Sequence, residues 1–171
     1  MNKKKQIISF VILGLLLILP VLFLGAIPPI DDAAVSPDTG DVAYVICDAG
    51  DANVKAFDRA GTLLFEKTLH FKSGGTAAVF YEEDHLCVHD VRDDTTYVYD
   101  RNGVWLETRE NDHDAPGVWE DWDMAWTVYQ VTVGETRYVY DKANFFEMIF
   151  GEKTILFIEN EQGEKMILWE P

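Results

Sequence analysis

Beyond position 41 the chain alternates apolar and polar residues in short runs separated by Asp, Asn and Gly, the period-two pattern of half-buried strands. The first block predicts strands over 42–47, 53–57 and 62–69, with turns at 48–52 and 58–61. The second predicts four, over 76–81, 85–89, 96–99 and 104–109. The third predicts 125–132, 136–140 and 145–150, then a shorter hairpin of 154–158 and 165–169 across 159–164. Ahead of them stands a different pattern: 6–27 is a stretch of 22 residues without a charge, interrupted only by Gln6, Ser9, Gly14, Pro20 and Gly25. About 20 apolar residues cross a bilayer as a helix, so a transmembrane helix is expected there. No amphipathic helix is read after it.

The strand blocks repeat one another. Positions 97–103 read Tyr-Val-Tyr-Asp-Arg-Asn-Gly, 54–61 read Val-Lys-Ala-Phe-Asp-Arg-Ala-Gly, and 138–144 read Tyr-Val-Tyr-Asp-Lys-Ala-Asn. Asp58 to Asp100 is a step of 42, Asp48 to Asp90 is again 42, and Asp100 to Asp141 is 41. The turn chemistry explains what repeats. An Asp side chain caps the turn amides, and Gly in the fourth position accepts the positive φ that closes the hairpin; Asn144 is the next best residue for that conformation.

A unit of about 40 residues built from four short strands is the sequence form of a propeller blade. The first unit, 43–64, resembles an NHL-type β-propeller repeat, in which an Asp-x-Gly after one strand precedes the next strand and its Asp-x-x-Gly turn. Asn53 departs from the Arg usual in that family, and in the third unit Val131 replaces the first Asp. The resemblance implies a fold and leaves function open, because propellers carry many unrelated activities. Three and a half units fall short of the about four to eight blades that close a ring. The expected fold class is therefore all-β, in antiparallel four-stranded repeat units of about 42 residues, propeller-like or an open curved sheet, preceded by one transmembrane helix. An open edge invites pairing, so association of copies of this chain is a further expectation.

Charge fixes the expected orientation. The net charge is -16, and Lys3, Lys4 and Lys5 precede the apolar run, so the rest carries -16 minus 3, or -19. The positive-inside rule places 1–5 as a basic tail in the cytoplasm, 6–27 across the membrane, 28–41 as an extended linker, and 42–171 as an extracytoplasmic β-repeat domain. A cleaved signal peptide is the competing reading of 1–27, but the apolar run is long and Leu24-Gly25-Ala26 lacks a small residue three positions back. A field this acidic repels phosphate backbones, which argues against nucleic acid as a partner.

Candidate chemistry is sparse. His85, Cys87 and His89 alternate along one strand and so share a face, with residue types suited to zinc or copper. Cys47 and Cys87 occupy equivalent places in successive units, about 10 Å apart in a propeller, which favours free thiols over a disulfide. The stretch 112–126 breaks the repeat rhythm. Its Trp119, Trp122 and Trp126, interleaved with Asp121 and Asp123, read either as a stacking platform for a glycan or protein ligand or as a turn stapled to the sheet by its tryptophans. Acid clusters at 82–84, 90–94 and 110–114 suit calcium in residue type but not in loop spacing. Asp38-Thr39-Gly40 matches the aspartic-protease triplet in letters only, since no apolar strand precedes it. No nucleophile elbow, phosphate loop or dinucleotide fingerprint is present. The expected function is a binding or scaffolding module without catalysis, held at the cell membrane by a single span. The alternative is a metal-dependent or acid/base hydrolase on the His85 and His89 face.

Overall fold

The computed structural model describes residues 30–72, 74–125, 128–143, 147 and 152–171. The expected transmembrane helix over 6–27, the strand over 145–150 apart from Glu147, and Trp126 lie outside these residues. No helix of the described residues is long and apolar enough to cross a membrane.

The described chain is all-β, in three antiparallel up-and-down sheets. The first holds β1 (Asp32–Val35), β2 (Val42–Asp48), β3 (Asp51–Phe57) and β4 (Leu63–His70) in that order. The second holds β5 (Ala77–Glu82), β6 (His85–Asp90), β7 (Thr95–Tyr99) and β8 (Trp105–Glu110). The third has five strands, from β9 (Asp123–Ala125) through β10 (Val128–Val133), β11 (Thr136–Asp141) and β12 (Ile155–Glu159) to β13 (Lys165–Trp169).

The Asp-x-x-Gly turns form as their chemistry dictates. Asp58 Oδ1 accepts from the Thr62 amide at 2.8 Å, and Asp100 Oδ1 accepts from Asn102 and Val104 at 2.9 and 2.7 Å. Gly61 and Gly103 take φ of 79° and 77°. Two readings from the sequence shift. β1 lies within the stretch expected as an extended linker, and it completes the first sheet by pairing along β2 from Asp32↔Val45 to Val35↔Val42. In the third sheet the same turn recurs at Asn160, whose Oδ1 accepts from Gln162 and Glu164 at 3.0 and 2.9 Å while Gly163 sits at φ 77°. The hairpin of β12 and β13 is thus a counterpart of β3–β4 and β7–β8.

Alternation along β2 sends its side chains to two cores. Ala43 and Val45 join Ala52, Val54, Val79, Leu86 and Val88 between the first and second sheets. Val42 and Tyr44 join Tyr138, Tyr140, Leu156 and Ile158 between the first and third. The first sheet is therefore the middle layer, and the sheets stack in the order third, first, second, which makes a propeller-like all-β fold. Polar clamps reinforce both contacts. Asp41, 2% exposed, receives Arg101 Nε and Nη2 at 2.6 and 3.0 Å. Arg59 donates to Thr136 Oγ1 at 2.7 and 3.0 Å, and Tyr138 donates to the Gly40 carbonyl at 2.5 Å. Thus Asp38-Thr39-Gly40 serves a tight structural turn at the junction of the sheets. Cys47 is half-buried and Cys87 buried, and both are free thiols.

Candidate functional site

His85, Cys87 and His89 do share the face of the second sheet that turns away from the first, alongside Phe80 and Val98. Alternate residues on a strand step about 6.6 Å, so His85 and His89 stand about 13 Å apart along β6 and cannot grip one ion together. Their surroundings differ accordingly. His85 is half-exposed at the start of the strand, with Nε2 3.6 Å from Asp84 Oδ1. Glu83, Asp84 and His85 bring their ligand atoms within 4.8 Å of one another. Cys87 is fully buried, and burial foremost pushes its thiol up to about 12, leaving no thiolate at neutral pH. His89 is 6% exposed, with Nδ1 3.0 Å from Oγ1 of the buried Thr96.

The start of the insertion folds back over this same face. In the turn after β6, Asp90 Oδ1 accepts from the Arg92 and Asp93 amides at 3.1 and 3.2 Å, and Asp94 adopts a left-handed φ of 49°. Asn111, just beyond β8, is also left-handed at 57°, and the Asp112 amide then donates to the Asp94 carbonyl at 3.2 Å. Asp and Asn tolerate this backbone region better than other side chains do, which is why two sharp reversals fall there. The result sets Asp94 Oδ1 3.9 Å from His89 Nε2 and Asp94 Oδ2 against His113 Nδ1. Ala115 then rests on Phe80, Cys87 and Val98.

The second half of the insertion packs elsewhere. Trp119, left-handed at φ 61°, stacks on Tyr140 at 5.1 Å, lies 4.5 Å from Tyr129 and meets Trp122 edge-on at 5.5 Å. Trp122 is 6% exposed, within the core shared by the first and third sheets. These two indoles staple the insertion to the core. The intervening carboxylates face outward: Asp121 and Asp123 are exposed and line an open recess of about 400 Å³ with Gln130, Val131, Thr132 and Arg137. Arg137 is held there by Glu159, at 3.0 Å from Nε.

Two buried acids are absent from the expectations drawn from the sequence. Asp32, 1% exposed, accepts from the Val79 amide at 2.8 Å and the Trp119 amide at 2.6 Å, so one carboxyl fastens the second sheet and the insertion to the first. Burial raises its pKa to about 7 despite these amides, which favour the ionised form, and the charge of Asp121 adds to the rise. The other is Asp41, the Arg101 partner. Both lie in the segment 28–41 that reads as a linker, and nothing in its local sequence sets Asp32 and Asp41 apart from Asp31 and Asp38.

No protein-family model matches the chain, and no curated protein sequence does. Among solved structures it is similar to Hsv2 of Kluyvelomyces marxianus, at 10% identity and a TM-score of 0.34 over 78% of this chain and 42% of that one. Kluyveromyces lactis Hsv2 gives 12% identity and 0.31 over the same shares. KlHsv2 with loop 6CD replaced by a Gly-Ser linker gives 8% and 0.36 over 80% and 50%. The chain spans about half or less of the length of these structures. Overlays this loose place no residue of the site, and the fold stands on the chain's own three sheets.

Proposed function

We propose that this chain is a membrane-anchored, extracytoplasmic β-repeat module of the NHL type that binds a polar ligand without transforming it. The anchor reading is supported by the uncharged 6–27 stretch behind Lys3, Lys4 and Lys5, the type by the Asp-x-x-Gly repeats. The observation that carries the binding role is the recess under the insertion. Two exposed carboxylates, an amide, a hydroxyl and a guanidinium converge there on a surface built from the rigid strands β10 and β11, and the tryptophans that flank Asp121 hold its rim. Such a lining offers both acceptors and donors to the hydroxyls of a glycan or to a basic peptide. It offers little to a phosphate backbone.

The full chain, held in detergent micelles, is to be screened against arrayed glycans and basic peptides. The expected outcome is a hit that the double substitution Asp121→Asn and Asp123→Asn weakens at least tenfold, while Asp84→Asn, on the far sheet, leaves it unchanged. Undiminished binding by the double variant overturns this placement of the site.

A further inference from the structure

We propose that His89, Asp94 and His113, with Asp112 alongside, form a site for a divalent transition-metal ion, zinc above all. This rests neither on the recess under the insertion nor on the membrane reading. The four residues come from the end of β6, the turn after it and the first residues of the insertion, and the left-handed backbone at Asp94 and Asn111 is what gathers them.

Imidazole nitrogen and carboxylate oxygen in this ratio are borderline ligands, the set zinc takes when sulfur is missing. His89 is fixed in the manner of a metal-bound histidine. Its Nδ1 lies 3.0 Å from the hydroxyl of the fully buried Thr96, and an Nδ1–H donated to that oxygen leaves the lone pair on Nε2. That Nε2 faces Asp94 Oδ1 at 3.9 Å, beyond hydrogen-bond reach. Two ligand atoms that share one zinc ion stand about 3.4 Å apart at the tetrahedral angle, and wider as the angle opens. The gap therefore suits an intervening ion better than a direct bond. The other carboxylate oxygen of Asp94 meets His113 Nδ1, so one carboxyl lies between two imidazoles.

Asp112 lies beside the same face of β6. Its Oδ2 is buried and has no hydrogen-bond partner among the described residues, and its negative charge is felt by the Cys87 thiol on the same face of β6. A buried carboxylate oxygen without a donor is costly unless something positive sits nearby. The His113 side chain is 79% exposed on its loop, so it can re-aim toward an ion without disturbing the core. The trio of Glu83, Asp84 and His85 already has its ligand atoms within 4.8 Å of one another but has its acids exposed at a turn, whereas the set around His89 closes on an ion only when His113 re-aims. The trio reads as a solvated acidic corner.

The test uses the full chain in detergent, purified without a histidine tag, stripped of metal, and titrated with zinc chloride and with cobalt(II) chloride as a coloured substitute. One zinc per chain is expected, with visible cobalt absorption at the same stoichiometry. His113→Ala and Asp94→Asn should each weaken zinc binding at least tenfold, and Thr96→Val, which frees the His89 ring, should do so without altering stoichiometry at saturation. Because His113 is exposed, its variant is expected to melt like the metal-free parent, which separates lost binding from lost folding. Zinc binding unchanged in His113→Ala overturns the site. So does loss of binding in His85→Ala, which moves the ion to the acidic corner, or the absence of stoichiometric zinc in the parent.

Discussion

A single carboxyl, Asp32, holds the first sheet to the second and to the insertion, and its titration should be visible in the stability of the whole domain. An unfolded aspartate titrates near 3.8, whereas burial lifts this one to about 7. Between those values the folded chain keeps a proton that the unfolded chain has released, so stability from this group is fully present below the lower value and is lost as pH rises through the upper one. At about 1.4 kcal/mol per unit, the ceiling on that loss is about 4 kcal/mol. Denaturant unfolding of the full chain should show stability falling from about pH 4 to about pH 7, and Asp32→Asn should flatten that slope while lowering stability overall. An unaltered slope in Asp32→Asn would assign the pH dependence to other acids, with Asp31, also raised by burial, the first to examine.

At the scale of the element, what was legible in the sequence was what local chemistry decides. Asp58, Asp100 and their glycines announce turns because side-chain capping and positive φ are properties of neighbouring residues, and both turns form. The strand β1 was not legible. Asp32-Ala-Ala-Val has little strand propensity, and it is ordered by tertiary contacts: Ala33 and Ala34 are small enough to lie buried on opposite faces, and Asp32 finds its donors 47 and 87 positions away. His89 and the acid clusters at 90–94 and 110–114 were legible as separate candidates but their meeting was not, since Asp94 and His113 are brought to His89 by two backbone reversals and not by any spacing. In the third repeat the hydrogen bonds of the same turn are made at Asn160–Gly163, with Asn in place of Asp, while Asn144, which ends the matching letters at Asp141, lies outside the described residues. Turn chemistry also packs: a Cβ on Gly103 would stand 2.6 Å from the Phe65 ring, and its φ of 77° is left-handed. Gly103→Ala should therefore cost about 2 kcal/mol or more, read from thermal or denaturant unfolding. Gly117→Ala, whose nearest new contact is a flexible Glu120 carboxylate at 3.6 Å, should stay within about 0.5 kcal/mol. Equal costs at the two positions would remove the packing role assigned to the turn.

For the whole molecule, the consequence of stacking the sheets as third, first, second is an uneven distribution of stability. In the first sheet β2 buries both faces: Val42, Ala43 and Val45 are each 0% exposed, Val42 turned to one core and Ala43 and Val45 to the other. The outermost strands do the reverse, with Trp105 and Leu106 on β8 and Met166 and Ile167 on β13 about half exposed. Opening β8 or β13 gives up few apolar contacts, whereas opening β2 requires both cores to come apart. Amide hydrogen exchange of the full chain should thus find β2 and β3 slowest, with rates set by global unfolding, and β8 and β13 exchanging at least a hundredfold faster. The clamps sharpen the expectation. Arg101→Ala releases the second sheet from Asp41 and Thr136→Val releases the third from Arg59, so the first should speed exchange in β5–β8 ahead of β10–β13, and the second the converse. In both variants β2 should remain the slowest strand, because either neighbour alone still covers one of its faces. If β2 instead exchanges with the outer strands, the first sheet is not the middle layer.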